Sequence, residues 1–136
     1  SSMQTLILAG IAFPIMIVLD LLWIGVVGRG FYKAQLGAML RPDVVWPAAL
    51  LFYVIFAVAI AYFVIAPALA THSMSKLLIS AAFFGLAAYA AYDLSNLATL
   101  VGWPLPLTIV DLIWGMLVTT ATASGAYLIA VKFLHY

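Results

Sequence analysis

Residues 76–131 read KLLISAAFFGLAAYAAYDLSNLATLVGWPLPLTIVDLIWGMLVTTATASGAYLIAV. Two long apolar runs flank the segment Gly102-Trp103-Pro104-Leu105-Pro106. Each run, 76–101 and 106–131, exceeds the roughly 20 apolar residues that a helix needs to cross a bilayer core of about 30 Å. Two prolines around a single leucine cannot continue the preceding helix, so the chain turns back there. One carboxylate lies in each run, Asp93 before the turn and Asp111 after it. A transmembrane β-barrel is excluded, because its strands are segments of about 10 residues with alternating polarity.

Working outward, the amino-terminal half holds two more such runs, 4–28 and 45–68. The chain is 68% hydrophobic and 7% charged, where a soluble domain carries about 25% charged residues. Lipid must therefore be the main solvent. Four spans joined by short connections predict an all-α integral membrane protein: one domain over residues 1–136, an up-down-up-down four-helix bundle. Trp46 and Pro47 suit the start of the second span, and Pro67 is expected to end it. Between the first two spans, residues 29–43 mix Phe31, Leu36, Met39 and Leu40 with Arg29, Lys33 and Arg41. That mixture predicts a short helix lying in the headgroup layer. Small residues at Ser80, Ala81, Gly85 and Ala88, and at Gly115, Thr119 and Ala123, predict close contact between helices. The net charge of +1 excludes a nucleic-acid partner that binds by counterion release. The absence of cysteine removes disulfides, thiol catalysis and thiolate metal sites. The expected partners are the bilayer, a second copy of the chain in a homo-oligomer, and a small-molecule or lipid ligand.

The acidic residues align in depth. Asp20 is eight residues before Gly28, and Asp93 eight before Val101; both fall roughly 12 Å below the same surface at 1.5 Å per residue. Asp111 enters from that surface and lies roughly 8–11 Å deep. Tyr53 reaches a similar level on the second span. Asn96 is one turn from Asp93, and Trp23 and Trp114 follow Asp20 and Asp111 three residues on, sharing their helix faces. Asp20, Tyr53, Asp93, Asn96 and Asp111, with Trp23, Trp114 and Arg29, thus form one candidate polar site. A charge at mid-bilayer costs about 2.5–3.5 kcal/mol even on the mildest scale. Two readings follow: a polar clamp that only joins helices, or a functional cavity. One carboxylate would suffice for a clamp; three at one depth favour the cavity.

Three functions suit such a site. Buried carboxylates exchange a proton for a cation in transporters, and the aromatic residues beside them suit an organic cation. Carboxylates below a basic surface segment also suit a membrane enzyme acting on a lipid, with Arg29, Lys33 and Arg41 holding a phosphate. A subunit that assembles into a larger complex is the third. Binding or transport of a small solute, coupled to protonation, is the first expectation. The cofactor is left open and no metal site is assigned, although paired aspartates could hold Mg²⁺ in the enzyme reading; His72 and His135 lie on the side opposite the acids. Three of the five basic residues lie between 29 and 41, which weakly favours that side as cytoplasmic.

Asp20-Leu21-Leu22-Trp23-Ile24-Gly25, Phe31-Tyr32-Lys33-Ala34-Gln35-Leu36-Gly37, Tyr92 to Leu100, and Gly102-Trp103-Pro104-Leu105 with Val110-Asp111-Leu112-Ile113-Trp114-Gly115 together resemble a family of small bacterial inner-membrane proteins, the family of unknown function numbered 2177. The resemblance runs from the first span to the fourth. It implies a multi-pass protein of the bacterial cytoplasmic membrane with four spans, and it implies no activity.

Overall fold

A computed structural model describes residues 1–136, all helix and connecting loop with no strand. Four helices are long and apolar enough to cross a membrane: α1 (Ser2–Val27), α3 (Trp46–Thr71), α4 (Met74–Thr99) and α5 (Leu105–Phe133). The short helix α2 (Arg29–Leu36) follows α1 and ends in a single 3-10 turn, Gly37–Met39. The protein is therefore an all-helical membrane protein. A short helix stands after the first span, as the sequence predicted.

Local chemistry sets the helix ends. Ser73 caps α4, its hydroxyl accepting from the Lys76 amide at 3.1 Å, which satisfies one of the free amides of a first turn. The α4–α5 turn uses Gly102 at φ 82°, a backbone region that costs other residues energy. Pro106 falls in the first turn of α5, where a missing N–H is harmless. Pro67 does not end α3, contrary to the sequence expectation. The preceding turn, Ala61–Ile65, is π-helical, and the Ala66 amide bonds the Ala61 carbonyl. The α-helix restarts at Ala66, so Pro67 occupies a first-turn position and the helix continues to Thr71. The chain then breaks at His72, at φ 47°. A second π-helical turn, Trp23–Val27, closes α1.

Around the bundle the order is α3, α1, α5, α4; the α4–α5 hairpin has the most extensive packing, and the distal part of α3 closes against α4 and α5. The interior interleaves alanines with larger side chains, with Ala12, Ala57, Ala61, Ala81, Ala123 and Ala126 buried alongside Leu8, Ile60, Ile65 and Leu77. Lipid tails are as apolar as leucine, so helices associate through close packing and not through exclusion of water. The tightest point is the crossing of Gly85 and Gly115. A Cβ on Gly85 would overlap the Gly115 carbonyl and lie 2.7 Å from Thr119 Oγ1, and one on Gly115 would overlap the Tyr89 ring. Only 31 of 136 residues are buried. The outward faces carry Val18, Leu51, Ile55, Phe63, Ile79 and Phe83. A surface so apolar on all sides belongs against acyl chains.

Candidate functional site: an acidic cavity beneath the interfacial helix

The sequence pattern Asp-Leu-X-Trp occurs twice, at Asp20–Trp23 in α1 and at Asp111–Trp114 in α5. Residues three apart share a helix face, and these two faces meet. The Trp114 indole N–H of α5 donates to Asp20 Oδ1 of α1 at 3.0 Å. In the other direction a phenol intervenes. The Trp23 indole N–H donates to the Tyr32 hydroxyl at 3.0 Å, and that hydroxyl donates to Asp111 Oδ1 at 2.7 Å. The two indoles stack between these bonds, 4.9 Å apart at 17°. Each motif's tryptophan thus serves the other motif's aspartate, once directly and once through α2. From α3, the Tyr53 hydroxyl donates to Asp20 Oδ2. Four helices are tied by these bonds. Each contributes about 0.6–2 kcal/mol in a bilayer.

Asp93 is outside this network. It is 0% exposed, and neither of its carboxylate oxygens has a hydrogen-bond partner. The carboxyl group of Asp111 faces it, and a bond between the two needs a proton on one of them. Two facing carboxylates are held together only by a proton or a cation placed between them. Asp20 and Asp111 are 6% and 8% exposed. The three acids contribute to the wall of one cavity of about 870 Å³. Tyr89, Tyr92, Trp103 and Trp114 supply its aromatic surface, and Ile24, Phe52 and Leu107 are among its apolar residues. Arg29, Lys33 and Arg41 border it from the interfacial segment, and all three are exposed. The Trp103 indole N–H is buried without an acceptor.

Of the residues proposed from sequence, Asp20, Asp93, Asp111, Trp114 and Arg29 line this cavity. Tyr53 and Trp23 stand one hydrogen bond behind it. Asn96 is not brought in. No residue from Leu94 to Leu100 is buried, and Asn96 is left half-exposed. The cavity-facing stripe of α4 runs the other way, through Tyr89, four residues before Asp93. That spacing is visible in the sequence, but the choice of direction along the helix is not. Tyr32, Tyr92 and Trp103 also escaped the sequence reading. Trp103 sits in the turn and Tyr32 on the interfacial helix, neither of which a depth count along the spans can place. The buried carboxylates take their bonds from phenols and indoles, so Arg29 is not the partner of any of them.

Tyr32 is the link between α2 and the bundle. Burial raises its phenol above the ordinary value; the Trp23 bond lowers it and the Asp111 carboxylate raises it. The hydroxyl therefore stays a donor throughout the neutral range. Tyr32→Phe leaves the Trp23 N–H without an acceptor and Asp111 without a donor. We expect stability to fall by about 1–2 kcal/mol and amide hydrogen exchange over 29–36 to accelerate severalfold. Unchanged exchange there would show that α2 is held by its apolar side chains alone.

A family model described as a predicted membrane protein, DUF2177, matches residues 5–128. No curated protein and no solved structure is similar to the chain.

Proposed function

The chain belongs to the DUF2177 family of predicted membrane proteins, and on that footing we propose that its cavity binds a small organic cation in exchange for a proton, as a step in transport. The observation that carries this reading is Asp93, fully buried, without a partner for either oxygen, on the wall of the cavity and beside a second carboxyl group. With the cavity empty, a proton between Asp93 and Asp111 removes the repulsion of two buried charges. An arriving ammonium supplies both charge and N–H donors, and the proton leaves. Tyr89, Tyr92 and Trp114 present ring faces and edges along the way, and aromatic surfaces favour cations by about 0.5–2 kcal/mol each.

Asp20 and the Tyr32–Asp111 bond belong to the framework in this scheme, and Asp93 to the exchange. Four helices surround one site, so a second copy of the chain would complete a path with two gates, and a homo-oligomer is part of the proposal. We place the protein in a bacterial cytoplasmic membrane with the 29–43 segment inside. The family resemblance supports the first point and the basic residues of that segment support the second.

The test is a titration of detergent-solubilised protein with ethanolamine and putrescine in weakly buffered solution. We expect release of up to one proton per amine bound. In Asp93→Asn the release should vanish and the affinity should drop about tenfold to a hundredfold, the equivalent of one charge-assisted hydrogen bond. Binding without proton release would remove the coupling; no binding of either amine would remove the proposal.

A further inference from the structure

The cavity is bipolar. Its buried end holds three carboxylates and no basic side chain, while its exposed border holds Arg29, Lys33 and Arg41. Arg29 and Lys33 are four residues apart on α2, hence on one face. These cations and the buried acids share one cavity, yet the acids are satisfied by Tyr53, Trp114 and Tyr32, or in the case of Asp93 not at all. Opposite charges lining a common space without pairing leave the space itself polarised along its length. Two orphaned groups mark it from either direction: the Asp93 oxygens lack a donor, and the Trp103 indole N–H lacks an acceptor.

A simple amine uses only the acidic end, and a simple anion only the basic end. We propose that the occupant is a zwitterion of the aminoalkyl phosphate type, its primary ammonium directed at Asp93 and Asp111 and its phosphate at Arg29, Lys33 and Arg41, with an ester oxygen accepting from Trp103. This rests on the cation-binding reading above and names the rest of the ligand. A primary ammonium offers three N–H donors to carboxylates, which a quaternary ammonium lacks. Guanidinium forks match phosphate oxygens in pairs. The chemistry has two sources, a free aminoalkyl phosphate or the headgroup of an aminophospholipid. The volume of about 870 Å³ and the apolar residues Leu36, Leu40 and Phe52 on its wall leave room for a glycerol and the start of an acyl chain.

The experiment measures binding of four probes to the detergent-solubilised protein by tryptophan fluorescence: ethanolamine, inorganic phosphate, O-phosphoethanolamine and lysophosphatidylethanolamine. O-phosphoethanolamine should bind at least about tenfold more tightly than ethanolamine or phosphate, one ion-pair increment. A further tenfold gain for the lysolipid identifies a membrane source, and equal binding identifies the soluble ester. Replacing the border residues together (Arg29→Gln, Lys33→Gln, Arg41→Gln) should abolish the gain from the phosphate, while ethanolamine, relieved of three like charges on the cavity wall, should bind no more weakly than before. These side chains are exposed, so the variant tests the ligand and not the fold. Asp93→Asn should instead abolish the gain from the ammonium over phosphate alone. If ethanolamine and O-phosphoethanolamine bind equally, the zwitterion is wrong and the cation site stands. If none of the four binds, both readings fall.

Discussion

Gly85→Ala is expected to destabilise the bundle more than any other addition of a single methyl group. The new Cβ meets the Gly115 carbonyl, which is backbone and cannot rotate away, and it crowds Thr119 Oγ1 at 2.7 Å. Relief requires α4 and α5 to move apart along their whole hairpin, the most extensive contact in the protein. Overpacking in a tight core costs about 1–3 kcal/mol, and a backbone obstacle puts this case at the upper end, about 3 kcal/mol. Thermal unfolding in detergent checks it. Gly10→Ala is the control, because a Cβ at Gly10 meets nothing within 4 Å. Equal melting temperatures for the two variants would mean that the helices do not cross at Gly85. Gly115→Ala acts differently. Its Cβ meets the Tyr89 ring, which lines the cavity, so ligand binding should suffer along with stability.

The second large effect separates two aspartates that composition treats alike. Asp20 accepts from Tyr53 and Trp114. Asp20→Ala leaves a buried hydroxyl and a half-buried indole N–H without acceptors and opens a gap among α1, α3 and α5. Leaving buried groups unpaired costs about 1–3 kcal/mol each, so a loss of about 3–4 kcal/mol is expected. Asp93→Asn takes no phenol, indole or backbone donor away, since none serves Asp93, and it replaces the proton shared with Asp111 by an amide N–H donor. Its stability should equal or exceed that of the unaltered protein while amine binding collapses. The measurement is a pair of melting curves with a binding isotherm for each variant. Should Asp93→Asn unfold as readily as Asp20→Ala, Asp93 would be one more member of the clamp and the exchange site would lose its basis.

These two aspartates also show how far residue counting reaches. Asp20, Asp93 and Asp111 could be placed at one depth because an α-helix rises by a fixed amount per residue and each apolar run declares its own ends. Counting does not report rotation about the helix axis. Asn96 and Tyr89 are nearly symmetric about Asp93 in sequence, yet Tyr89 borders the cavity and Asn96 stays outside it. The deciding fact is how α4 is turned against its neighbours, which leaves Leu94 to Leu100 unburied. Pro67 illustrates another limit. A proline reads as a helix end, but a π-helical turn two to six residues earlier shifts the hydrogen-bond frame and gives it a harmless position.

The membrane class, the four spans and the interfacial helix follow from the chain alone. In a bilayer a helix satisfies its backbone polar groups within its own segment, so each span is written locally as a long, predominantly apolar run. The repeated Asp-Leu-X-Trp motif is equally local. Its meaning is not. That Trp114 serves Asp20, that Trp23 reaches Asp111 only through Tyr32, and that Asp93 is served by nothing depend on how α1, α2, α4 and α5 are turned toward one another. Those rotations are set by close packing, above all where Gly85 meets Gly115 and Tyr89 lies on Gly115. A sequence shows which helices can hold a buried acid; the packed bundle gives phenol and indole donors to two of those acids and none to the third.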